Sequence, residues 1–290
     1  MKKYSQLSHS RTDLRAAIPL KMPFTLLFEP AAMCNFKCPC CYYSDPNYNM
    51  PKGMMEWEDF KKIVWNLEVW EHWAEEKVKV IRLIGFGEPL LNRNIGDMVC
   101  YLKDLDVADR LEITTNGSLL TPPMCIQLIN CELDYLRVSI YNDTPNKMKK
   151  KIVNNIAELK ALRGSREKPF IYVKTLEADP KFFETFMPIA DEVAIEKTHN
   201  WLEGVGGDSI CPQPFKMMSI RFNGDVIVCD PDWKNNTKVG NALEENIEDI
   251  WNGEKMKTFQ TMQLEHRRQE NESCRNCSFV DNEFYVKDKL

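Results

Sequence analysis

Apolar residues come in short β-branched and aromatic runs that, from residue 24 onward, alternate with segments repeating at three-and-four spacing. That alternation of strand and helix builds a parallel sheet from βα units. Six strands are predicted, at Phe24–Phe28, Val78–Leu83, Leu111–Thr114, Tyr135–Ile140, Phe170–Lys174 and Glu192–Glu196. Between them helices are predicted at Glu56–Glu75, Asn94–Leu105, Thr121–Asn130, Pro145–Leu162 and Lys181–Met187. The first helix sets Trp57, Phe60, Val64, Leu67 and Trp70 on one face, which reads as a core stripe. Six βα units are too few for a closed eight-strand barrel, so the pattern alone leaves a partial barrel and a doubly wound sheet tied. After Trp201 the pattern changes to a glycine-rich stretch, a hairpin of Met217–Phe222 and Val226–Cys229 around Asn223-Gly224-Asp225, and a helix near Ile247–Met262. The expected organisation is a polar N-terminal extension over 1–22, a barrel over 23–201 and a second module over 202–290.

At 290 residues the chain is long enough for a sizeable core. Its net charge of −5, with Lys and Arg scattered, gives no electrostatic footprint for a nucleic-acid backbone, so no nucleic-acid partner is expected. The first 22 residues have no apolar run suited to a signal peptide, and no stretch approaches the roughly 20 apolar residues of a membrane span. A cytoplasmic protein without a membrane partner is expected. Eleven cysteines in such a chain point to metal binding under reducing conditions rather than to disulfides.

Cys34, Cys38 and Cys41 form a C-x3-C-x2-C run that follows the first strand, in a loop closed by Asp45-Pro46-Asn47. Three thiolates leave one iron of a four-iron cluster open, and without a nearby histidine they make a poor closed zinc site. The segment resembles the cluster loop of the radical S-adenosylmethionine (SAM) enzymes. The resemblance implies a [4Fe–4S] cluster on these three residues, with the amino and carboxylate groups of SAM on its open iron. It also favours a partial (β/α)6 barrel. Cys40 stands where that family usually has a bulky residue and is an alternative candidate ligand, though the spacing favours Cys41.

Gly85-Phe86-Gly87-Glu88-Pro89, after the second strand, resembles the family's GGEP motif, with Phe86 in place of the first glycine. Read alone, it is a glycine turn that lets backbone approach a ligand closely. Thr115 and Asn116 at the third strand end, Ser139 and Asn142 at the fourth and Lys174 at the fifth look like the family's strand-end SAM contacts. Taken singly, the Asn116-Gly117 and Asn142-Asp143 pairs also suit ordinary turns. A second set, Cys211, Cys229, Cys274 and Cys277, offers four ligands, enough to close a cluster or a zinc site. With its surroundings it resembles a truncated SPASM domain of the Twitch type, which implies one auxiliary [4Fe–4S] cluster.

The fold class expected is therefore α/β, a partial (β/α)6 radical SAM barrel with a C-terminal Twitch-type iron–sulfur module. Its layout is similar to that of family members that dehydrogenate 2-deoxy-scyllo-inosamine. The resemblance implies a deoxyadenosyl radical that abstracts a hydrogen atom, a small sugar, cyclitol or aminosugar substrate oxidised at a hydroxyl, the auxiliary cluster as electron acceptor, and a flavodoxin- or ferredoxin-type donor. Ketone formation needs a base. His199 and then Glu196, at the junction of the two modules, are the candidates. Peptide maturation and redox-neutral epimerisation are the alternatives, and an interaction module with two structural zinc sites is the non-enzyme reading. The remaining thiols, Cys100, Cys125 and Cys131, fall away from the expected catalytic rim.

Overall fold

The structure, a computed structural model, describes residues 13–141, 143–177, 180–196, 210–275 and 277. After a short helix α1 (Leu14–Ala17), strands β1 (Thr25–Phe28), β2 (Val80–Leu83), β3 (Leu111–Thr115), β4 (Tyr135–Ser139), β5 (Phe170–Thr175) and β6 (Glu192–Ile195) alternate with helices. These helices are α2 (Trp57–Ala74), α3 (Ile95–Asp104), α4 (Pro122–Asn130), α5 (Asn146–Arg163) and α6 (Pro180–Phe186). Each predicted element is present, with ends moved by one or two residues where caps and turns take over. The strands lie in the order β6-β5-β4-β3-β2-β1, all parallel. No reversal of strand order occurs, so the sheet is not doubly wound; it is the open α/β barrel sheet.

The second module does not begin a sheet of its own. Strand β7 (Met217–Ile220) pairs parallel with β1, and β8 (Asp225–Ile227) and β9 (Lys238–Asn241) follow antiparallel, so one nine-stranded sheet runs through both parts. Gly224, at φ +82°, supplies the left-handed turn residue of the hairpin. The single helix expected near Ile247–Met262 is two, α7 (Ile247–Asn252) and α8 (Glu254–Leu264), divided at Gly253, and a last short helix α9 (Glu272–Arg275) follows. Residues 13–22 are not simply a polar extension: Leu14 and Met22 are buried, and the Trp251 indole donates to the Leu20 carbonyl.

Alternation along the strands sorts the chemistry. Leu26, Phe28, Ile81, Leu83, Ile113, Leu136, Val138, Ile171 and Val173 join the apolar core with Phe60, Ile63, Val64 and Leu67 of α2. Their neighbours on the other face, Glu29, Arg82, Glu112, Arg137, Lys174 and Arg221, form a charged layer. Period two thus puts grease outside the sheet and ions inside it. Cys100 and Cys131, expected as thiols, are instead paired as a disulfide with Cα atoms 4.8 Å apart, because the end of α4 returns beside α3.

Candidate active site

The cluster loop and the GFGEP turn are built against each other. A Cβ on Gly87 would collide with the carbonyl oxygen of Ala31 and with the backbone of Met33, so only glycine permits this approach. The Glu88 amide donates to the Met33 carbonyl at 2.8 Å, and the Asn92 amide group holds Pro30 and Met55 carbonyls. Gly85 meets the Glu29 side chain in the same way. Glu29 was missed in the sequence, although an acid directly following a strand was its signal. Its carboxylate accepts from the Phe86 amide at 2.9 Å and pairs with Arg221 at 3.2 Å, tying β1, the GFGEP turn and the β7 hairpin together.

Glu88 and Thr115 face each other rather than an open space. The carboxylate of Glu88 accepts from Thr115 Oγ1 at 2.6 Å, the Leu90 amide at 3.0 Å and the Asn116 amide at 2.7 Å, and both residues are buried. They position the rim, and the adjoining Pro89 is buried as well. Asn116 then donates to Asn35 at 2.9 Å, beside Cys34, and its side chain also reaches the Cys34 thiol. Ser139 ends β4 and bonds the Tyr141 hydroxyl. Asn142 and His199 lie outside the described residues.

Two of the expected site residues are paired with each other. Lys174 donates to Glu196 at 2.6 Å, and Arg137 donates to the same carboxylate at 2.8 Å. Burial would raise the Glu196 pKa, but Lys174 and Arg137 overcome it and hold the carboxyl at about 2. Glu196 is thus held as an anion near neutral pH, with Lys174 paired to it. Glu112 behaves alike: buried against Arg82, Arg110 and Arg137, it is held at about 2.

Asp230 is the carboxylate the sequence reading overlooked. It follows Cys229, and Arg82, Arg221 and Lys174 of the charged layer act on it, yet among the described residues it makes no hydrogen bond or ion pair within 4 Å. Burial, only partly offset by those cations, raises its pKa. Its signal was adjacency to a ligand cysteine.

The three thiols of the first set lie in a turn, with the Cys41 amide donating to the Cys38 carbonyl at 3.0 Å, and all three are half-buried. The four of the second set line one cavity with Trp233 and Arg268. The guanidinium of Arg268 donates to the carbonyls of Cys274 at 2.7 Å and Cys277 at 2.6 Å. Asp232 accepts from Thr237 at 2.7 and 2.8 Å and from Ser273 at 2.6 Å, joining the Cys229 loop to the Cys274 helix. Burial pushes the Cys38 thiol to about 12 and Cys211 to about 11, so metal loading must displace protons. Among the described residues no group of His, Cys, Asp and Glu side chains is placed to hold a single metal ion. Sulfurs arrayed around a cavity fit a larger iron–sulfur cluster, with soft thiolate donors throughout. Between the sets runs an aromatic wall: Tyr42 stacks on Trp233 with centroids 6.2 Å apart, Tyr48 approaches Trp233 at 5.6 Å, and Tyr42 meets Phe86 edge-on at 6.1 Å.

A barrel with an open three-cysteine loop and an attached four-cysteine cavity defines a class, and family comparison agrees. The radical SAM superfamily model matches residues 28–167, and that of the iron–sulfur cluster-binding domain SPASM matches residues 211–278. The chain belongs to the radical SAM superfamily, is a radical SAM enzyme and uses SAM and iron–sulfur cofactors. Among relatives, it is 24% identical over 195 residues to the S-adenosyl-L-methionine-dependent 2-deoxy-scyllo-inosamine dehydrogenase of Niallia circulans, spanning 67% of this chain and 71% of that one. Among solved structures, BtrN in complex with AdoMet and 2-DOIA superposes with a TM-score of 0.66 at 20% identity, over 93% of this chain and 99% of that one. Streptococcus suis SuiB bound to precursor peptide SuiA gives a TM-score of 0.59 at 16% identity, over 92% and 72%. At those identities the two structures support the fold alone. No helix among the described residues is long and apolar enough to cross a membrane.

Proposed function

We propose that this enzyme dehydrogenates a hydroxyl-bearing carbon of a small sugar, cyclitol or aminosugar. In this reading Cys34, Cys38 and Cys41 hold the SAM-binding [4Fe–4S] cluster. The GFGEP turn, Asn116 and Ser139 contact SAM, and Cys211, Cys229, Cys274 and Cys277 hold a single auxiliary [4Fe–4S] cluster. When bound, SAM and the clusters supply hydrogen-atom abstraction and an acceptor for the electron left behind. The chain's residues supply the rest. Arg82, Glu112, Arg137, Lys174 and Glu196 make a charge-paired lining that suits a polar substrate and orients it. Asp230 takes the hydroxyl proton.

The single observation that carries this reading is Asp230, a carboxylate that has no hydrogen-bonded partner among the described residues, directly follows Cys229 of the four-thiol cavity and is acted on by Arg82, Arg221 and Lys174 of the charged layer. Proton and electron then leave the substrate on the same side. A flavodoxin- or ferredoxin-type protein is the proposed donor. The dehydrogenase relative supports the substrate class. The test is anaerobic reconstitution with candidate polyols and aminosugars. One ketone per 5′-deoxyadenosine is expected, and 5′-deoxyadenosine without a substrate oxidised by two electrons would overturn the reading.

One observation favours epimerisation as the second reading. Cys40 is the one exposed free cysteine among the described residues, and Asp143 and Lys174 act on its thiol. A thiol there could return a hydrogen atom. Solvent deuterium at an inverted substrate carbon would establish that reading and remove dehydrogenation.

A further inference from the structure

The cavity lined by Cys211, Cys229, Cys274 and Cys277 holds polar groups besides its thiols. Trp233 and Gln263 both line it, the first 4% exposed and the second 1%. The Gln263 side-chain amide donates to the Cys274 sulfur at 3.9 Å, and the Gln213 backbone amide donates to the Cys211 thiol. The Trp233 indole N–H, by contrast, is buried without a hydrogen-bond partner among the described residues, as is the Gln263 side-chain carbonyl. An indole nitrogen can only donate, so leaving it buried and unpaired is costly.

Packing holds the indole in place. Tyr42 stacks on it with the ring planes 25° apart, Tyr48 lies at 5.6 Å, and the Lys234 ammonium sits 5.4 Å from the ring centroid. A phenylalanine would fill the same stack without an N–H to satisfy. The acceptors that the cysteines bring to this cavity are sulfurs. The Gln263 bond to Cys274 is long, as suits a neutral thiol, which is a weak acceptor. Sulfur that carries charge accepts more strongly.

We propose that the Trp233 indole and the Gln263 amide donate to the sulfurs of the C-terminal cluster and raise its reduction potential. The inference rests on the reading that these four cysteines hold a single [4Fe–4S] cluster. Reduction adds negative charge that is shared with the sulfurs, so donors to them stabilise the reduced form more than the oxidised one. Arg268, fixed on the Cys274 and Cys277 carbonyls, places a cation nearby that works in the same direction. Trp233 and Gln263 thus act on the electron acceptor rather than on the substrate.

A redox titration of the reconstituted enzyme, followed by electron paramagnetic resonance, tests this, with the first cluster recognised by its response to SAM. Trp233→Phe keeps a ring in the stack and removes the N–H, and Gln263→Met removes the amide at similar volume. Each should lower the midpoint of the C-terminal cluster by about three- to tenfold in its one-electron equilibrium, about 28 to 59 mV, and leave the first cluster unchanged. In the wild type, electron–nuclear double resonance on the reduced C-terminal cluster should show coupling to an isotopically labelled indole nitrogen. That coupling is read without any variant, so it stands even where a variant fails to load iron. Unchanged midpoints in both loaded variants, equal shifts in both clusters, or no nitrogen coupling in the wild type would overturn the inference and leave the single-cluster reading intact. Zinc at the C-terminal set, with about four irons per chain, would overturn that reading and the inference with it.

Discussion

Cys34, Cys38 and Cys41 are carried by a loop whose only regular structure is one turn of 3-10 helix after Cys41, whereas Cys211, Cys229, Cys274 and Cys277 line a cavity closed by Arg268, Asp232 and Trp233. The first loop is held mostly from below, by the glycine contact at Gly87 and the Glu88 amide. Its upper side faces the rim with Asn116 and Ser139. The second set is held by Arg268 on the Cys274 and Cys277 carbonyls and by Asp232, which joins the Cys229 loop to the Cys274 helix. The contrast teaches a division of labour: one set is shaped to admit a ligand, the other to exclude one. Sealing suits an electron acceptor, and openness suits a site where a small molecule must bind.

The largest expected effect tests that division directly. Replacing Cys34, Cys38 and Cys41 together with alanine should abolish SAM cleavage while the iron of the C-terminal set persists in the visible spectrum. Undiminished 5′-deoxyadenosine from this variant would mean that the open site has been misplaced. Next in size is Asp230→Asn, which removes the proposed proton acceptor but neither cysteine set. Loss of a general base costs about 10²–10⁴ in rate, so ketone formation should fall by that factor while SAM cleavage continues. A parallel fall of both would assign Asp230 to SAM binding instead.

Arg268→Met reaches the seal itself. Two part-buried carbonyls, those of Cys274 and Cys277, would lose a charged donor, at a cost of at most about 1–3 kcal/mol each, less where water replaces it. The expected result is faster iron loss to a chelator from the C-terminal set alone, read by iron release against a wild-type control. Equal loss from both sets would show that the two are not independently held.

Much of this was legible in the sequence because it is local. The alternation of βα units, the spacing of both cysteine sets and the glycine turn before Glu88 are local patterns, and the strands and helices fall where the periodicities place them. The β1–β7 pairing was not legible, since a parallel contact between residues 25–28 and 217–220 leaves no local trace. Neither was the pairing of Lys174 with Glu196, because ion pairing depends on which strands are neighbours: Lys174 meets Ala194 in register, and this brings Glu196 within its reach. The charged layer itself was readable in principle. Arg82, Glu112, Arg137 and Lys174 all interrupt apolar strands at alternate positions, which is the signature of a sheet face that is buried but not greasy.

The smallest effect concerns the permanence of that layer beneath the open set. Glu196 is held at about 2 in the folded chain and Glu112 likewise, each below the roughly 4.3 of a free glutamate. A depressed carboxyl pKa contributes stability that is fully present above the unfolded value and is lost as pH falls through the folded one. The barrel should therefore keep its stability down to about pH 4.5 and lose it between there and about pH 2. Glu196→Gln should flatten that part of a melting-temperature profile. Glu71 provides the opposite sign within the same barrel. Burial raises it to about 7 despite the Val78 amide it accepts from, so its charging destabilises the fold as pH rises from about 4.5 through 7. Acidifying from pH 8 to pH 5 should then raise the wild-type melting temperature more than that of Glu71→Gln. Profiles of the two variants that bend in the same direction would contradict the assignment of one carboxyl as fixed charge and the other as reluctantly charged, and with it the rigidity claimed for the floor of the open site.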